Sequence, residues 1–378
     1  MYSPSTGQNL TAEQARELDD TFLASDPFQY FRSRIASLLA WRENAPVEES
    51  PLPEGQPGSI RAEFNHYLQR PATDGPFKDL DVHAQVAADA LAVRHHAAEA
   101  VVRLACAVLA PSPSADAPCL WSEIATGPTQ IQGAIDRLNK ASQAPDASER
   151  MLRVLVEPAN LAAARSNPDI VDACNVLIEW LGYAIRLLTP ADIDLQAGHN
   201  KVKHGLAVRA RSDLRITFLT TGPTAEDTIP VSALTGPGAL DIFDQPVVEL
   251  LARGPKAQGH RQGLEVTQLR LKPSALLADA YMLAMAHGTM FRVAAVQHFA
   301  DRDDLRDHHV APAAPGYPVG GPKPEHIDAK SPLGLRFAIT LPPGGGPAKR
   351  ETGIGFRDYF QTLHIDYEGH RTIRATDD

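Results

Sequence analysis

The chain has few cysteines, and their spacing excludes two common kinds of stabilisation. Its 378 residues include three cysteines, at positions 106, 119 and 174, without a CxxC pair. An odd, dispersed set argues against a disulfide framework and against a four-thiolate zinc site. We therefore expect a protein of a reducing compartment. We also expect no metal and no cofactor.

Long apolar runs and targeting patterns are scarce as well. The polar N-terminus lacks the basic and apolar regions of a signal peptide, and the best apolar run, 97–110, is interrupted by Glu99 and Arg103. These observations predict a soluble, cytoplasmic protein without a membrane partner.

Several common catalytic motifs do not occur in the sequence. HExxH, a Walker A loop and GxSxG are absent, which removes the usual signs of zincins, P-loop NTPases and α/β-hydrolases.

Basic residues are in the minority. The 46 acidic residues outnumber the 36 basic ones and give a formal net charge of −10. This excess opposes broad contact with phosphate backbones, so we expect no broad DNA binding unless a local basic patch reverses the field. With 43% hydrophobic and 22% charged residues, the chain has an ordinary globular composition and can form a core.

Helical periodicity dominates the first half of the sequence. It predicts two N-terminal helices, the first capped by Thr11 and Gln14 and the second over 27–44, followed by helices over 80–110, 130–142, 148–156, 168–188 and 190–208. Beyond residue 209, alternating patterns predict strands over 214–220 and 264–271, a long helix over 274–299, and late strands over 335–341 and 359–367.

These elements predict an α+β fold that is mainly α, with a helical bundle followed by a smaller α+β portion containing a short antiparallel sheet. We divide the chain into N-terminal helices with a Pro-rich linker (1–60), a helical bundle (61–208) and an α+β portion (209–378) with a Pro/Gly-rich segment at 311–347.

A basic strip follows the predicted bundle. Between 201 and 215, five Lys and Arg residues face one acid, and the surrounding candidates are His199, Asn200, Lys201, Lys203, His204, Arg209 and Arg211. Two imidazoles beside lysines and arginines could supply acid, base and phosphate contacts. In the alternative interpretation, Gly198 and Asn200 break and recap a helix, Gly205 ends it, and the lysines are solvated.

A second polar cluster lies on the helix predicted over 80–110. Its members are His95, His96, Glu99 and Arg103, spaced so that the carboxylate can reach either imidazole and the guanidinium. This face could pack across the bundle towards the helix that bears His204. The alternative is an ordinary row of surface ion pairs. His287 and His298 lie in an apolar helix and are interpreted as core residues without a role.

The segments RHHAAEAVVRL and HNKVKH, on helices of the predicted bundle, resemble HEPN-type helical bundle proteins over residues 80–208. Active members of that superfamily are metal-independent endoribonucleases, often dimeric, and others are RNA-binding or interaction modules. The family motif consists of Arg, a polar residue, a few variable residues and His. Asn200 matches its polar position and His204 its histidine, whereas His199 stands where the family has Arg. The same segments also resemble uncharacterised actinobacterial proteins.

The resemblance implies RNA, a protein partner or a second copy of the chain as binding partner. We expect a non-catalytic RNA-binding or interaction module, in which Lys201, Lys203, Arg209 and Arg211 contact phosphate. The alternatives are a metal-independent endoribonuclease that uses His204 with Asn200 and His199, or a purely structural scaffold. The sequence leaves open whether the protein is an enzyme.

Overall fold

The computed structural model describes residues 9–43, 67, 81–112, 117–189, 195–203, 207–212, 216–220, 228–234, 236–243, 246–253, 263–300, 320–327, 334–340 and 372–374. The predicted linker over 46–59, the predicted strand over 359–367, His204 and Gly205 lie outside these residues.

Helices make up most of the described chain. In chain order they are α1 (Ala12–Leu23), α2 (Pro27–Glu43), α3 (Val82–Leu109), α4 (Leu120–Thr126), α5 (Ile131–Ser142), α6 (Ala147–Leu155), α7 (Leu161–Ser166), α8 (Pro168–Leu188), α9 (Leu195–Lys203), α10 (Pro273–Phe299) and α11 (Pro324–Ile327). The predicted capping box is present, since the Thr11 hydroxyl accepts from the Gln14 amide and the Gln14 side chain accepts from the Thr11 amide.

The strands form small antiparallel sheets. They are β1 (Val208–Arg211), β2 (Ile216–Leu219), β3 (Thr228–Pro230), β4 (Ala239–Phe243), β5 (Val247–Arg253), β6 (Leu264–Arg270), β7 (Gly334–Ala338) and β8 (Thr372–Arg374). The main sheet has the order β1-β5-β6-β7, while β2 pairs with β4 and β3 with β8. The fold is therefore mainly α within the α+β class, as the sequence predicts.

The central element of the core is α3. Its buried residues include the consecutive runs 93–95 and 104–107, so more than the one predicted stripe is packed. The reason is that α3 contacts α2, α5, α8, α9 and the sheet, while α10 lies along it. Buried side chains from Leu23 to Ala295 join in a single cluster, and α10 thus shares the core of the preceding helices.

Distant side chains cap several helix ends. Asp19 of α1 is buried, and its carboxylate accepts the backbone N–H groups of Leu120 (2.8 Å) and Trp121 (2.9 Å) at the start of α4. At the C-terminal end of α3, Arg137 donates to the carbonyl of Ala110 and Arg150 donates to the carbonyl of Leu109. These contacts satisfy groups that a helix cannot pair internally.

The helix predicted over 190–208 does not reach its expected end. Its described part spans Leu195–Lys203, and the chain is in β1 from Val208, where that strand pairs with β5. The interpretation in which Gly198 and Asn200 break the helix is wrong, because α9 runs through both residues. Gly198 instead permits close packing: a Cβ there would lie 3.0 Å from Leu269 Cδ1 and 3.4 Å from Leu250 Cδ2.

Among the described residues, no helix combines the length and apolarity that a bilayer crossing requires.

Candidate functional site

A cleft of about 620 Å³ opens between α2, α3, α9 and α10. Its walls bring together the two polar segments singled out in the sequence: His96, Glu99 and Arg103 come from α3, while His199 and Lys203 come from α9. His199 and Lys203 are one turn apart and therefore face the same side of their helix. The volume falls within the range of roughly 300–1,000 Å³ that is usual for small-molecule pockets.

Cations outnumber carboxylates around this cleft. Its lining contains Arg34, Arg103 and Lys203 but one carboxylate, Glu99. Glu99 pairs with Arg103 at 2.8 Å, and its other oxygen lies 3.9 Å from Lys203 Nζ. The exposed Arg34 forms no ion pair within the described part of the chain. The cleft therefore has a local positive charge in a protein of net charge −10.

Aromatic rings form the wall contributed by α2. The Tyr30 ring is 49% exposed and meets His96 edge-on, with a centroid distance of 5.5 Å. Phe31 is buried and contacts the same imidazole at 5.4 Å. The small residues Ala92 and Ala100 of α3, one turn before and after His96, also line the cleft and leave space beside these rings. Rings and cations thus border the same cavity.

Two imidazoles in the lining are kept neutral near pH 7. Burial lowers the pKa of His287 to about 4, and the nearby His96 acts in the same direction. The pKa of His96 is also lowered, mainly by burial, with Lys203 and Arg34 adding to this effect and Glu99 opposing it. Each neutral imidazole offers one hydrogen-bond donor and one acceptor.

In the wall of the cleft, His199 stacks on His95, which lies outside the lining. Their rings are 5.0 Å apart with an interplanar angle of 10°. His95 is fully buried, and its Nδ1 lies 2.9 Å from the Leu91 carbonyl oxygen. A carbonyl can only accept, so Nδ1 carries the proton. Burial, the Arg94 charge and His199 hold the pKa of His95 well below 6.5.

A buried ion pair lies next to this stack. Arg94 of α3 is 3% exposed and its Nη1 is 3.4 Å from Oδ2 of Asp279 on α10. The Tyr183 hydroxyl of α8 donates to the same oxygen at 2.7 Å. The pair therefore joins three helices in the interior, where removal of either charge would leave the other without its counter-charge.

The remaining predicted site residues lie elsewhere. Asn200 is exposed and accepts a hydrogen bond from Gln196, and Lys201 is half-buried outside the cleft lining. Arg209 and Arg211 project from β1 and lie 3.8 and 3.6 Å from Glu249 of β5. The predicted phosphate-binding set is thus divided, and of its four members Lys203 alone lines the cleft.

Sequence reasoning missed Arg34, Tyr30, Phe31 and His287. The first three lie on α2, and His287 lies on α10, where the sequence predicts a core residue without a role. Nothing in their local sequence distinguishes them, because it is the packing of α2 and α10 against α3 that carries them to the cleft.

The described residues contain no group of three or more His, Cys, Asp or Glu side chains arranged to hold a metal ion. The chain matches no family model, and no curated protein and no solved structure is significantly similar to it.

Proposed function

We propose that this chain is a soluble, cytoplasmic, non-catalytic RNA-binding module with a HEPN-like helical bundle, and that it contacts RNA through the cleft between α2, α3, α9 and α10. The observation that carries the proposal is the placement of Arg34, Lys203 and Arg103 around a cavity that also contains the exposed Tyr30 ring.

This combination favours single-stranded RNA over other ligands. Lysine and arginine neutralise phosphates, and aromatic rings stack on unpaired bases, which is how proteins commonly hold single strands. The cleft is locally positive within a protein of net charge −10, so a long duplex would meet a surface that is negative on balance.

The histidines of the cleft do not supply the permanent cation that the HEPN resemblance calls for. The resemblance to HEPN proteins calls for an arginine at position 199, which would stabilise a charged phosphorane. His199 is 6% exposed and stacks on His95, so it offers no permanent cation. The lowered pKa values of His96 and His287 likewise leave these side chains without charge at pH 7.

The test is the salt dependence of RNA binding. Fluorescence anisotropy with a labelled single-stranded RNA, at salt concentrations from about 50 to 200 mM, should give an affinity that falls with salt. The variant Lys203→Gln should bind more weakly. Its slope of log affinity against log salt, which is negative, should become shallower by about 0.7 because one phosphate contact is lost. Lys140→Gln is the matched control, because Lys140 is exposed on α5 outside the cleft.

Absence of salt-sensitive binding by the wild-type protein would overturn the proposal and leave a scaffold role. An equal loss in the Lys203→Gln and Lys140→Gln variants would show that the cleft is not the contact surface.

The alternative function is a metal-independent endoribonuclease that uses His204. The observation in its favour is that Lys203, the preceding residue, lies at a cleft that also contains His96 and Glu99. Incubation with mixed RNA in EDTA distinguishes the two functions. Cleavage that persists in EDTA and is lost in His204→Ala would establish the ribonuclease, whereas intact RNA would favour the binding module.

A further inference from the structure

We infer that the cleft receives a single nucleotide, with its base inserted between the helices and its phosphate held at the mouth. This inference rests on the proposed function, in which the nucleotide belongs to a single-stranded RNA. It deepens that proposal by naming the part of the strand that enters.

The cleft has an exposed cation at its mouth and imidazoles where it is most buried. At the mouth, the Lys203 side chain is 53% exposed and the aromatic Tyr30 is 49% exposed. Deeper in the lining, His199 and His287 are 6% and 8% exposed, and the Arg103 guanidinium is already paired with Glu99. A phosphate moved into this interior would lose its hydration beside side chains that carry no permanent charge, whereas at the mouth it would meet Lys203 and keep water.

The interior is suited to a flat ring. Phe31 contacts His96 at 5.4 Å and His287 at 6.3 Å, in both cases edge-on. Ala92 and Ala100, one helical turn before and after His96 on α3, also line the cleft, and their small side chains leave space beside these rings. An inserted base would gain aromatic contacts with Phe31 and apolar contacts with these alanines.

The polar groups of the lining distinguish a base from an aliphatic ligand. The neutral imidazoles of His96 and His287 combine donors and acceptors, and base edges present the same mixture. Glu99 is already paired with Arg103 at 2.8 Å, so its charge is compensated before a ligand enters. An alkyl chain would leave the buried His287 imidazole without a partner, which costs binding free energy.

The experiment compares AMP with ribose 5-phosphate by isothermal titration calorimetry on the full chain. The two compounds share the sugar and phosphate and differ in the base. AMP should bind more tightly by roughly 5- to 150-fold, the contribution expected of one stacked base. A ten-nucleotide oligoadenylate is titrated in parallel to determine whether a strand binds.

Substitutions at two cleft positions, each with a control variant, locate the base. Ala100→Leu should fill the slot and weaken AMP and oligoadenylate binding, whereas Ala40→Leu, at an exposed position of α2 outside the cleft, should not. Tyr30→Ala should weaken AMP binding, and Tyr30→Phe should retain it because the ring is kept. Circular dichroism of each variant confirms that the helices are intact.

The outcomes separate this inference from the proposed function. Oligoadenylate binding with equal affinities for AMP and ribose 5-phosphate, or with no effect of Ala100→Leu, would overturn the inference while RNA binding stands. AMP binding that depends on Ala100 and Tyr30, without oligoadenylate binding, would support base insertion but identify a free nucleotide as the ligand. That result would overturn the proposed function.

Discussion

Mild acid should destabilise this protein through its buried histidines. His287 is 8% exposed, and burial holds its pKa at about 4, compared with about 6.5 in an unfolded chain. Between these values, the unfolded chain binds a proton that the folded chain does not. The contribution of His287 to the free energy of unfolding therefore decreases as the pH falls below about 6.5 and becomes constant below about pH 4.

The size of the effect follows from the two pKa values. Lowering the pH from 7 to 5 should remove about 2 kcal/mol through His287 alone. His95 acts in the same direction, because its pKa is also held well below 6.5 in the folded state. A loss of this size is a substantial part of the roughly 5–15 kcal/mol by which domains are usually stable.

Urea unfolding followed by circular dichroism at pH 5, 6 and 7 measures this loss. In the variant His287→Leu, the difference between the unfolding free energies at pH 7 and pH 5 should shrink by about 2 kcal/mol, whatever its absolute stability. His326→Leu is the control, since His326 is exposed in the folded protein. An unchanged pH difference in His287→Leu would refute the assignment of a neutral, buried His287.

Two further predictions concern buried charges. Asp19→Ala should lower the free energy of unfolding by about 1–3 kcal/mol, because the backbone N–H groups of Leu120 and Trp121 lose their acceptor; a urea titration showing no loss would contradict this capping role. Asp279→Leu should cost about 3–5 kcal/mol by leaving Arg94 buried without its counter-charge, and adding Arg94→Met should recover most of that loss in the same assay. A double variant as unstable as the single one would be inconsistent with this account.

Helices whose ends are specified locally could be predicted closely from the sequence. The helix expected over 168–188 is observed as Pro168–Leu188, with the Asn167 side chain accepting from the Asp169 amide and proline in the first turn. The short strand β1 and the central strand β5 were not predicted. The burial pattern of β5 does not alternate strictly, since Val247 and Val248 are both buried, and its sequence therefore lacks the usual sign of a strand.

Part of the candidate site could be predicted from the sequence. The polar spacing on α3 and α9 identified His96, Glu99, Arg103, His199 and Lys203, which line one cleft. The contribution of α2 could not be derived in this way. Its aromatic residues lie at ordinary helical spacings, and their position in the cleft depends on contacts with segments far away in the sequence.

The absence of a side chain at Gly198 couples the cleft to the main sheet. At this point the backbone of α9 lies directly against Leu250 and Leu269, so the leucines of the sheet determine how deeply the helix is seated. His199 and Lys203, on the same short helix, share that position. A larger side chain on this face of the sheet would displace both residues together. The width of the cleft therefore depends on the packing of sheet residues that are not part of its lining.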